Sequence, residues 1–267
     1  MKHLLFYSIL LFTLSLLISC SGPKQIAIQQ KEDPLPVDGS LSGWSTGTTL
    51  LNESDDIQYH AYIHDDILYI FADVKSLTLD RAIRQSGLIV YLSNSEERRR
   101  SVGIGYPTGS FNLLREIPGA YNSFTTDSEW SRQPENVDLM TNLYEEIFSR
   151  VMIVERFDGD NRAEYGFVDK HQIEIDGVEI SSDEERRLVS LEMKIPLDGS
   201  TIYGVEKGTI WLGFTLEPPT FRIRNDDNSM SNQQSMGRYG QRNRSYQRQM
   251  SQPRLLSRDD WFILKIE

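Results

Sequence analysis

Cysteine is nearly absent from this chain, which has one among 267 residues, at position 20. A single thiol cannot form an intramolecular disulfide or a zinc–thiolate site of the usual kind. Basic residues are also scarce: 28 lysines and arginines face 39 acids, whereas phosphate binding needs clustered positive charge. We therefore expect a domain held together by its hydrophobic core, with no nucleic acid among its partners.

The local signatures of catalysis are missing as well. The chain has no Gly-x-Ser-x-Gly elbow, no His-Glu-x-x-His, no phosphate loop and no dinucleotide fingerprint. A glycosidase needs two placed carboxylates, and a chain with 39 acids always contains candidates for such a pair. We expect a non-enzyme, and a hydrolase with two carboxylates facing each other across a cleft is the catalytic alternative.

The N-terminus combines a positive charge, an apolar run and the cysteine. Lys2 precedes apolar residues 4–18, a stretch too short to span a bilayer comfortably. Leu17-Ile18-Ser19-Cys20 then resembles the end of a bacterial lipoprotein signal. The resemblance implies a signal peptide over residues 1–19 and acylation of Cys20, for example with palmitate, so that lipid chains anchor the protein. The alternative is an ordinary secretory signal with an incidental cysteine.

The residues after Cys20 carry sorting information in the lipoprotein family. Ser21 stands where aspartate retains Gram-negative lipoproteins in the inner membrane, so the resemblance favours the outer membrane. Residues 21–25 lack the acidic run that marks surface-exposed lipoproteins in some lineages. We therefore expect an envelope lipoprotein of the outer membrane that faces the periplasm.

Strand patterns dominate the chain after residue 37. Ile57, Tyr59, Ala61 and Ile63 alternate with Gln58, His60, Tyr62 and His64, which predicts a strand with one buried and one solvated face. Asp65-Asp66 predicts a turn into a second strand over residues 67–74. Further strands are predicted over residues 88–92, 102–104, 150–155, 172–175, 188–195, 209–216 and 261–266. This pattern predicts an all-β fold, a β-sandwich.

Helices and linkers complete the predicted organisation. Helical spacing predicts short helices over residues 77–84 and 137–148. Residues 20–36 read as a lipidated N-terminus and polar tether, and residues 37–267 as one β-sandwich domain. Within it, residues 222–258 hold eight arginines, two aspartates and no lysine, which predicts a disordered low-complexity insertion. The alternative is a basic arm that contacts lipid phosphates, an acidic glycan or a partner.

Several motifs resemble family 9 carbohydrate-binding modules and their DOMON-like relatives. Val37-Asp38-Gly39-Ser40-Leu41-Ser42-Gly43-Trp44 is similar to their opening apolar–Asp–Gly–x–x–x–x–Trp signature, although Gly43 replaces the usual acidic residue. Leu191-Glu192-Met193-Lys194-Ile195-Pro196-Leu197 is similar to a strand that ends in an apolar–Pro pair. The resemblance spans about residues 37–267 and implies a β-sandwich that binds carbohydrate. No pair of aromatics maps onto the clamp of relatives that bind sugar ends.

The segment around Trp130 mixes an aromatic residue with polar residues, as sugar stacking requires. Trp130 is the first candidate for a ligand contact, together with Tyr121, Asn122 and Arg132. The alternative for Trp130 is a loop tryptophan that packs over the edge of the sandwich. The other three tryptophans, Trp44, Trp211 and Trp261, fall in strand contexts typical of the core.

One short acidic segment could bind a metal. Asp158 and Asp160, with Glu164 nearby, have oxygen ligands at the alternating positions of a partial calcium loop. Structural calcium also occurs in family 9 modules. The alternative is an ordinary turn, because Asp-Gly and Asp-Asn are common turn pairs.

These observations predict an envelope lipoprotein that acts as a non-catalytic carbohydrate-binding or accessory module. The alternative is a structural or interaction lipoprotein that docks to another envelope protein without binding a glycan.

Overall fold

Two β-sheets make up most of the described structure, a computed structural model that covers residues 24–157, 162–183, 186–221 and 256–266. The twelve strands found in those ranges are β1 Lys24–Ala27, β2 Thr49–Glu53, β3 Ile57–His64, β4 Ile67–Val74, β5 Ile89–Ser93, β6 Val102–Gly105, β7 Arg150–Arg156, β8 Ala163–Asp169, β9 Glu179–Ser181, β10 Ser190–Pro196, β11 Thr209–Leu216 and β12 Arg258–Lys265. The mostly-β architecture expected from the alternating pattern is confirmed.

The two sheets contain seven and five strands. The larger has the order β1-β12-β11-β5-β6-β7-β8, and the smaller has the order β2-β3-β4-β10-β9. Their neighbours pair antiparallel, except that β1 runs parallel to β12. The predicted hairpin of β3 and β4 is confirmed, with Asp65 and Asp66 at positive φ in its two-residue turn.

Strand β1 lies inside the predicted tether. Lys24 is paired with Phe262 and Ala27 with Lys265, and Ile26 is buried in the core. The expectation that residues 20–36 form a free polar tether is therefore wrong for residues 24–27. The physical reason is that Ile26 gains burial here, and β1 satisfies backbone groups on one side of β12.

The main core lies between the inner faces of the two sheets. Alternate residues of β3 and β11 face each other there, as the period-two pattern predicts. The ring of Tyr59 stacks on that of Phe214 with centroids 4.3 Å apart, and Phe262 packs edge-on against Tyr59. Each large apolar side chain buried in this way contributes about 1.5–3 kcal/mol to folding.

Short helices connect strands of the two sheets. The helices are α1 Leu77–Ser86, α2 Ser110–Leu113, α3 Ala120–Thr126, α4 Pro134–Glu146 and α5 Lys170–Ile175, with single 3-10 turns at Leu114–Glu116 and Trp130–Arg132. Helices α1 and α4 confirm the two predicted helices; α4 begins three residues early because Pro134 suits a first helical turn. None of the helices in the described ranges is long and apolar enough to cross a membrane.

One predicted strand is wrong. Residues 172–175 belong to helix α5, and the strand that pairs with β7 is instead β8, which was not predicted. Ile173 and Ile175 imitate strand alternation, but Ile173 is buried while Ile175 is 85% exposed. Two apolar residues over four positions are too few to distinguish the period of a helix from that of a strand.

The outer face of the five-stranded sheet is covered by residues 31–48. Trp44 packs on this face with its ring centroid 5.1 Å from those of both Tyr62 and Phe71. His60 and Tyr62 are consequently buried, while His64 stays half-buried. The prediction of a solvated face for these residues is wrong, because the pattern of one strand does not show what packs over it.

Candidate functional site

The outer face of the seven-stranded sheet carries aromatic and charged side chains that we call the outer belt. Its members come from strands β5, β7, β8, β11 and β12, from helix α3 and from neighbouring loops and turns. They are Tyr91, Arg99, Arg100, Arg115, Tyr121, Arg156, Tyr165, Trp211, Glu217, Asp259 and Trp261. Strand alternation places Trp211 and Tyr91 here, since Leu212 and Val90 point into the core.

Two glycines let aromatic rings lie close to the sheet. A Cβ on Gly213 would lie 2.6 Å from Cη2 of Trp261, and one on Gly103 would lie 2.5 Å from Cε1 of Tyr91. Any side chain at these positions would push the rings outward. Gly213 and Gly103 therefore set the depth at which the belt's rings rest.

Glu217 lies at the centre of the belt. Nη2 of Arg156 donates to its two carboxylate oxygens at 2.9 and 2.8 Å, and Nη1 of Arg100 donates at 3.3 Å. The hydroxyl of Tyr91 donates to Glu217 at 3.3 Å and accepts from Nη1 of Arg156 at 2.5 Å. Burial raises the pKa of Tyr91, and the charge of Glu217 raises it further, so this hydroxyl stays protonated.

Asp259 and two arginines organise the end of the belt at β12. Oδ1 of Asp259 accepts from Nη2 of Arg100 and from Nε1 of Trp261, both at 2.6 Å. The guanidinium of Arg99 lies over two tryptophan rings, 5.1 Å from the centroid of Trp261 and 5.8 Å from that of Trp211. This end therefore presents planar cations stacked on planar rings.

Arg115 occupies the other end of the belt, between two tyrosines. Its guanidinium carbon lies 3.8 Å from the ring centroid of Tyr121 and 4.0 Å from that of Tyr165. Nη2 of Arg115 donates to the hydroxyl of Tyr121 at 2.8 Å. Burial raises the pKa of Tyr121, although the nearby charge of Arg115 opposes the shift.

A groove of about 490 Å³ opens beside Arg115. Helix α3 forms one wall and the stretch after β11 forms the other. Its lining is Arg115, Tyr121, Asn122, Thr125, Thr126, Tyr165, Glu217, Pro218, Pro219 and Thr220. The groove thus combines two aromatic rings with hydroxyl, amide, guanidinium and carboxylate groups.

The four predicted ligand residues separate into two pairs. Tyr121 and Asn122 line the groove, whereas Trp130 and Arg132 do not. Trp130 is 9% exposed and packs edge-on against Phe124, the residue on the inner side of α3. Of its two interpretations, the packed tryptophan is the one found. Arg132 is exposed and forms an ion pair with Glu129 at 2.8 Å.

The predicted metal site stays a prediction. Asp158 and Asp160 lie outside the described residues, as do Cys20 and residues 222–255. Glu164 is exposed on β8 and is paired across the strands with Glu155. Within the described ranges, no three His, Cys, Asp or Glu residues are grouped in a way that could hold a metal ion.

Most of the belt was not found from the sequence. Trp211 and Trp261 were predicted as core residues, and Trp211 is buried at 8% exposed, but both lie on the outer face. One local signal was present: the alternation Ile210, Leu212, Phe214 leaves Trp211 on the opposite face. Arg100, Arg156 and Glu217 are far apart in the chain and gave no local signal.

Comparison with known proteins gives no relative. No family model matches the chain, and no curated protein or solved structure matches it.

Proposed function

We propose that this protein is a bacterial envelope lipoprotein whose domain, related to family 9 carbohydrate-binding modules, binds a glycan without catalysis. In this proposal Cys20 is lipidated, and the protein resides in the outer membrane facing the periplasm. The glycan lies in the groove and along the outer belt.

The groove carries this proposal. Sugars are bound by flat aromatic faces that pack on C–H surfaces and by polar groups that meet the hydroxyls. Tyr121 and Tyr165 supply rings, and Asn122, Thr125 and Glu217 supply donors and acceptors within the same 490 Å³ groove. This combination of groups suits a glycan better than an apolar ligand, because an apolar ligand would leave the polar lining unpaired.

The two motifs behind the family resemblance also meet in space. Glu192, from the Leu-Glu-Met-Lys-Ile-Pro strand, accepts hydrogen bonds from Nε1 of Trp44 at 3.1 Å and from the backbone N–H of Gly39 at 2.7 Å. Gly39 has φ 76°, and a Cβ there would lie 2.2 Å from the backbone nitrogen of Asp183. The Asp–Gly and Trp positions of the signature therefore have a shared structural role, which supports the relationship proposed.

A glycan-binding assay with a matched tyrosine pair tests the proposal. The full-length protein, purified in mild detergent, is screened on a glycan array and its best binder is titrated by calorimetry. Tyr165→Ala should weaken binding about tenfold, the size expected for a lost ring contact. Tyr144→Ala is the control, because Tyr144 is exposed on α4 outside the belt.

Two results would count against a glycan-binding role. The first is a folded protein that binds nothing on the array. The second is binding that Tyr165→Ala and Tyr144→Ala weaken equally, because the groove would then not be the site.

One feature favours the alternative function, docking to another envelope protein. Ile175 is 85% exposed at a shallow recess of about 460 Å³ that is also lined by Phe148 and His171. Exposed apolar residues beside such a recess suit a protein contact. Ile175→Asp should abolish a docking interaction measured by crosslinking in the envelope and leave glycan binding unchanged.

A further inference from the structure

We propose that the outer belt selects glycans that carry carboxylate groups, with Arg99 and Arg115 as the two residues that bind the carboxylates. This inference rests on the proposed glycan-binding function and names the chemical class of the ligand.

The arginines of the belt fall into two classes. Arg100 and Arg156 are both ion-paired with Glu217, and Arg100 is also paired with Asp259. Their charges are therefore largely neutralised within the protein. Their role is to hold Glu217 and the ring of Tyr91 in place.

Arg99 belongs to the other class. Within the described ranges no carboxylate lies at ion-pair distance from it, and its guanidinium contacts the rings of Trp211 and Trp261. A guanidinium that lies over an aromatic ring can still donate sideways through its planar fork of N–H groups. That fork matches the two oxygens of a carboxylate.

Arg115 is unpaired in the same sense. The described residues place no carboxylate at ion-pair distance from it, and its stacking between Tyr121 and Tyr165 fixes its orientation. Its Nε–H is buried and has no hydrogen-bond partner among the residues that the structure describes. Such a group is costly unless something else compensates, and an anion in the groove that Arg115 lines would offset the cost by electrostatic attraction.

Charge balance supports the same conclusion. The belt's four arginines exceed its two carboxylates by two positive charges, whereas the whole chain has a net charge of −11. The positive belt attracts anions, whereas the acidic remainder of the protein repels them. A carboxylate-bearing sugar meets both features of the belt, since its ring can stack and its acid can pair.

Paired probes test the inference on the full-length protein in detergent. The acidic probes are oligogalacturonate and alginate oligomers, and the neutral probes are the same oligomers after chemical reduction of their carboxyl groups. We expect reduction to weaken binding about tenfold or more, as for loss of a charge-assisted hydrogen bond. Raising the salt concentration should weaken binding of the acidic probes and spare the neutral ones.

Substitutions of Arg99 and Arg115 test whether these residues bind the carboxylates. Arg99→Gln and Arg115→Gln should each lower affinity for an acidic probe about tenfold, and should lower affinity for its reduced form by a smaller factor. Arg99→Lys should recover only part of the loss, because lysine keeps the charge but lacks the planar fork. Arg132→Gln is the matched control, since Arg132 is exposed and outside the belt. Near-UV circular dichroism verifies that each variant is folded.

The outcomes separate the two proposals. Equal affinity for acidic and reduced probes would overturn carboxylate selection and leave glycan binding intact. Acid-selective binding that neither arginine variant weakens would overturn the assignment to Arg99 and Arg115. No binding of either probe set, by a folded protein that also fails on the glycan array, would overturn both the inference and the proposed function.

Discussion

The two sheets differ in how their outer faces are covered. On the five-stranded sheet, residues 31–48 cross the face, Trp44 is fully buried, and Tyr62 and Phe71 pack beneath it. On the seven-stranded sheet, the described residues leave a half-buried belt in which Trp261 lies over Gly213 and arginines lie over the rings. Both faces are aromatic, but one is closed by its own chain, whereas the described residues leave the other partly exposed.

One carboxylate on each face shows what the difference means. Glu192 has no accessible surface and accepts three uncharged N–H groups, those of Trp44, Gly39 and Asp38. Glu217 keeps 27% of its side chain exposed and is held by two arginines. The first arrangement fixes a covering segment in place. The second leaves the carboxylate and the two arginines that hold it partly exposed.

The largest expected effect on stability comes from replacing one tryptophan on each face with alanine. Trp44→Ala should lower the free energy of unfolding by about 3–5 kcal/mol, because it empties a fully buried site. Trp261→Ala should cost about 1–2 kcal/mol, because the ring is half-buried, yet it should impair ligand binding far more. Urea unfolding followed by circular dichroism gives the stabilities. Similar stability losses for the two variants would erase the distinction between a closed and an open face.

The next largest effect is the change in stability with pH that Glu192 causes. Burial raises the pKa of Glu192 from its usual 4.5 to about 7, although hydrogen bonds from Gly39, Trp44 and Asp38 oppose the rise. Its contribution to stability is therefore complete below pH 4.5 and is lost as the pH rises through 7, a change of about 3 kcal/mol. We expect the difference in unfolding free energy between the wild type and Glu192→Gln to decline by this amount from pH 4.5 to 8.

The Glu192→Gln variant also serves as the control for His60. Burial lowers the pKa of His60, so its stabilising effect is present at high pH and is lost as the pH falls. Both proteins retain His60, and its contribution cancels in the difference. A difference in unfolding free energy that stays constant, or that grows with pH, would show that the three N–H donors outweigh the effect of burial on the pKa of Glu192.

A smaller effect should follow from adding one methyl group to the belt. Gly213→Ala forces the ring of Trp261 outward, because the new Cβ would lie 2.6 Å from it, and should cost about 1–3 kcal/mol and weaken ligand binding. Gly166→Ala, on β8, is the control, since its Cβ would meet only Ile153 at 3.9 Å. Unfolding curves and ligand titrations compare the two. Equal effects of both substitutions would show that the depth of the ring is unimportant.

The smallest effect is expected outside both faces. Arg132→Ala removes an ion pair with Glu129 in which both side chains are more than half exposed. Such pairs contribute about 0–1 kcal/mol because water and salt screen them. Thermal unfolding should change little and ligand binding not at all. A marked loss of binding would restore Arg132 to the site that the sequence predicted for it.

Local pattern decided which parts of this fold could be predicted. The hairpin of β3 and β4 was predicted with its bounds, because alternation and the Asp65-Asp66 turn are encoded within one short stretch. The cover over His60 was missed, since residues 31–36 were predicted as part of a polar tether and residues 37–48 as the start of the β domain, with no signal for the face on which they pack. Coverage of a strand is a tertiary property that its own pattern does not contain.

The candidate site shows the same limit. Tyr121 and Asn122 were predicted because an aromatic and an amide stood together in a polar stretch, and both line the groove. Trp130, from the 3-10 turn that follows α3, instead packs against Phe124, which does not line the groove. The ion pairs of Glu217 join positions 100, 156 and 217, and no sequence window holds all three.

The parallel pairing of β1 with β12 would set how far the outer belt lies from a lipid bilayer if Cys20 is acylated as proposed. Lys24 is paired with Phe262, the neighbour of Trp261 in the outer belt. If Cys20 carries acyl chains, three residues separate it from Lys24, and the four Cα–Cα steps between the two reach at most about 14 Å when fully extended. The belt's edge would then stay within a few nanometres of the membrane surface, so the protein would sample glycans held close to that surface.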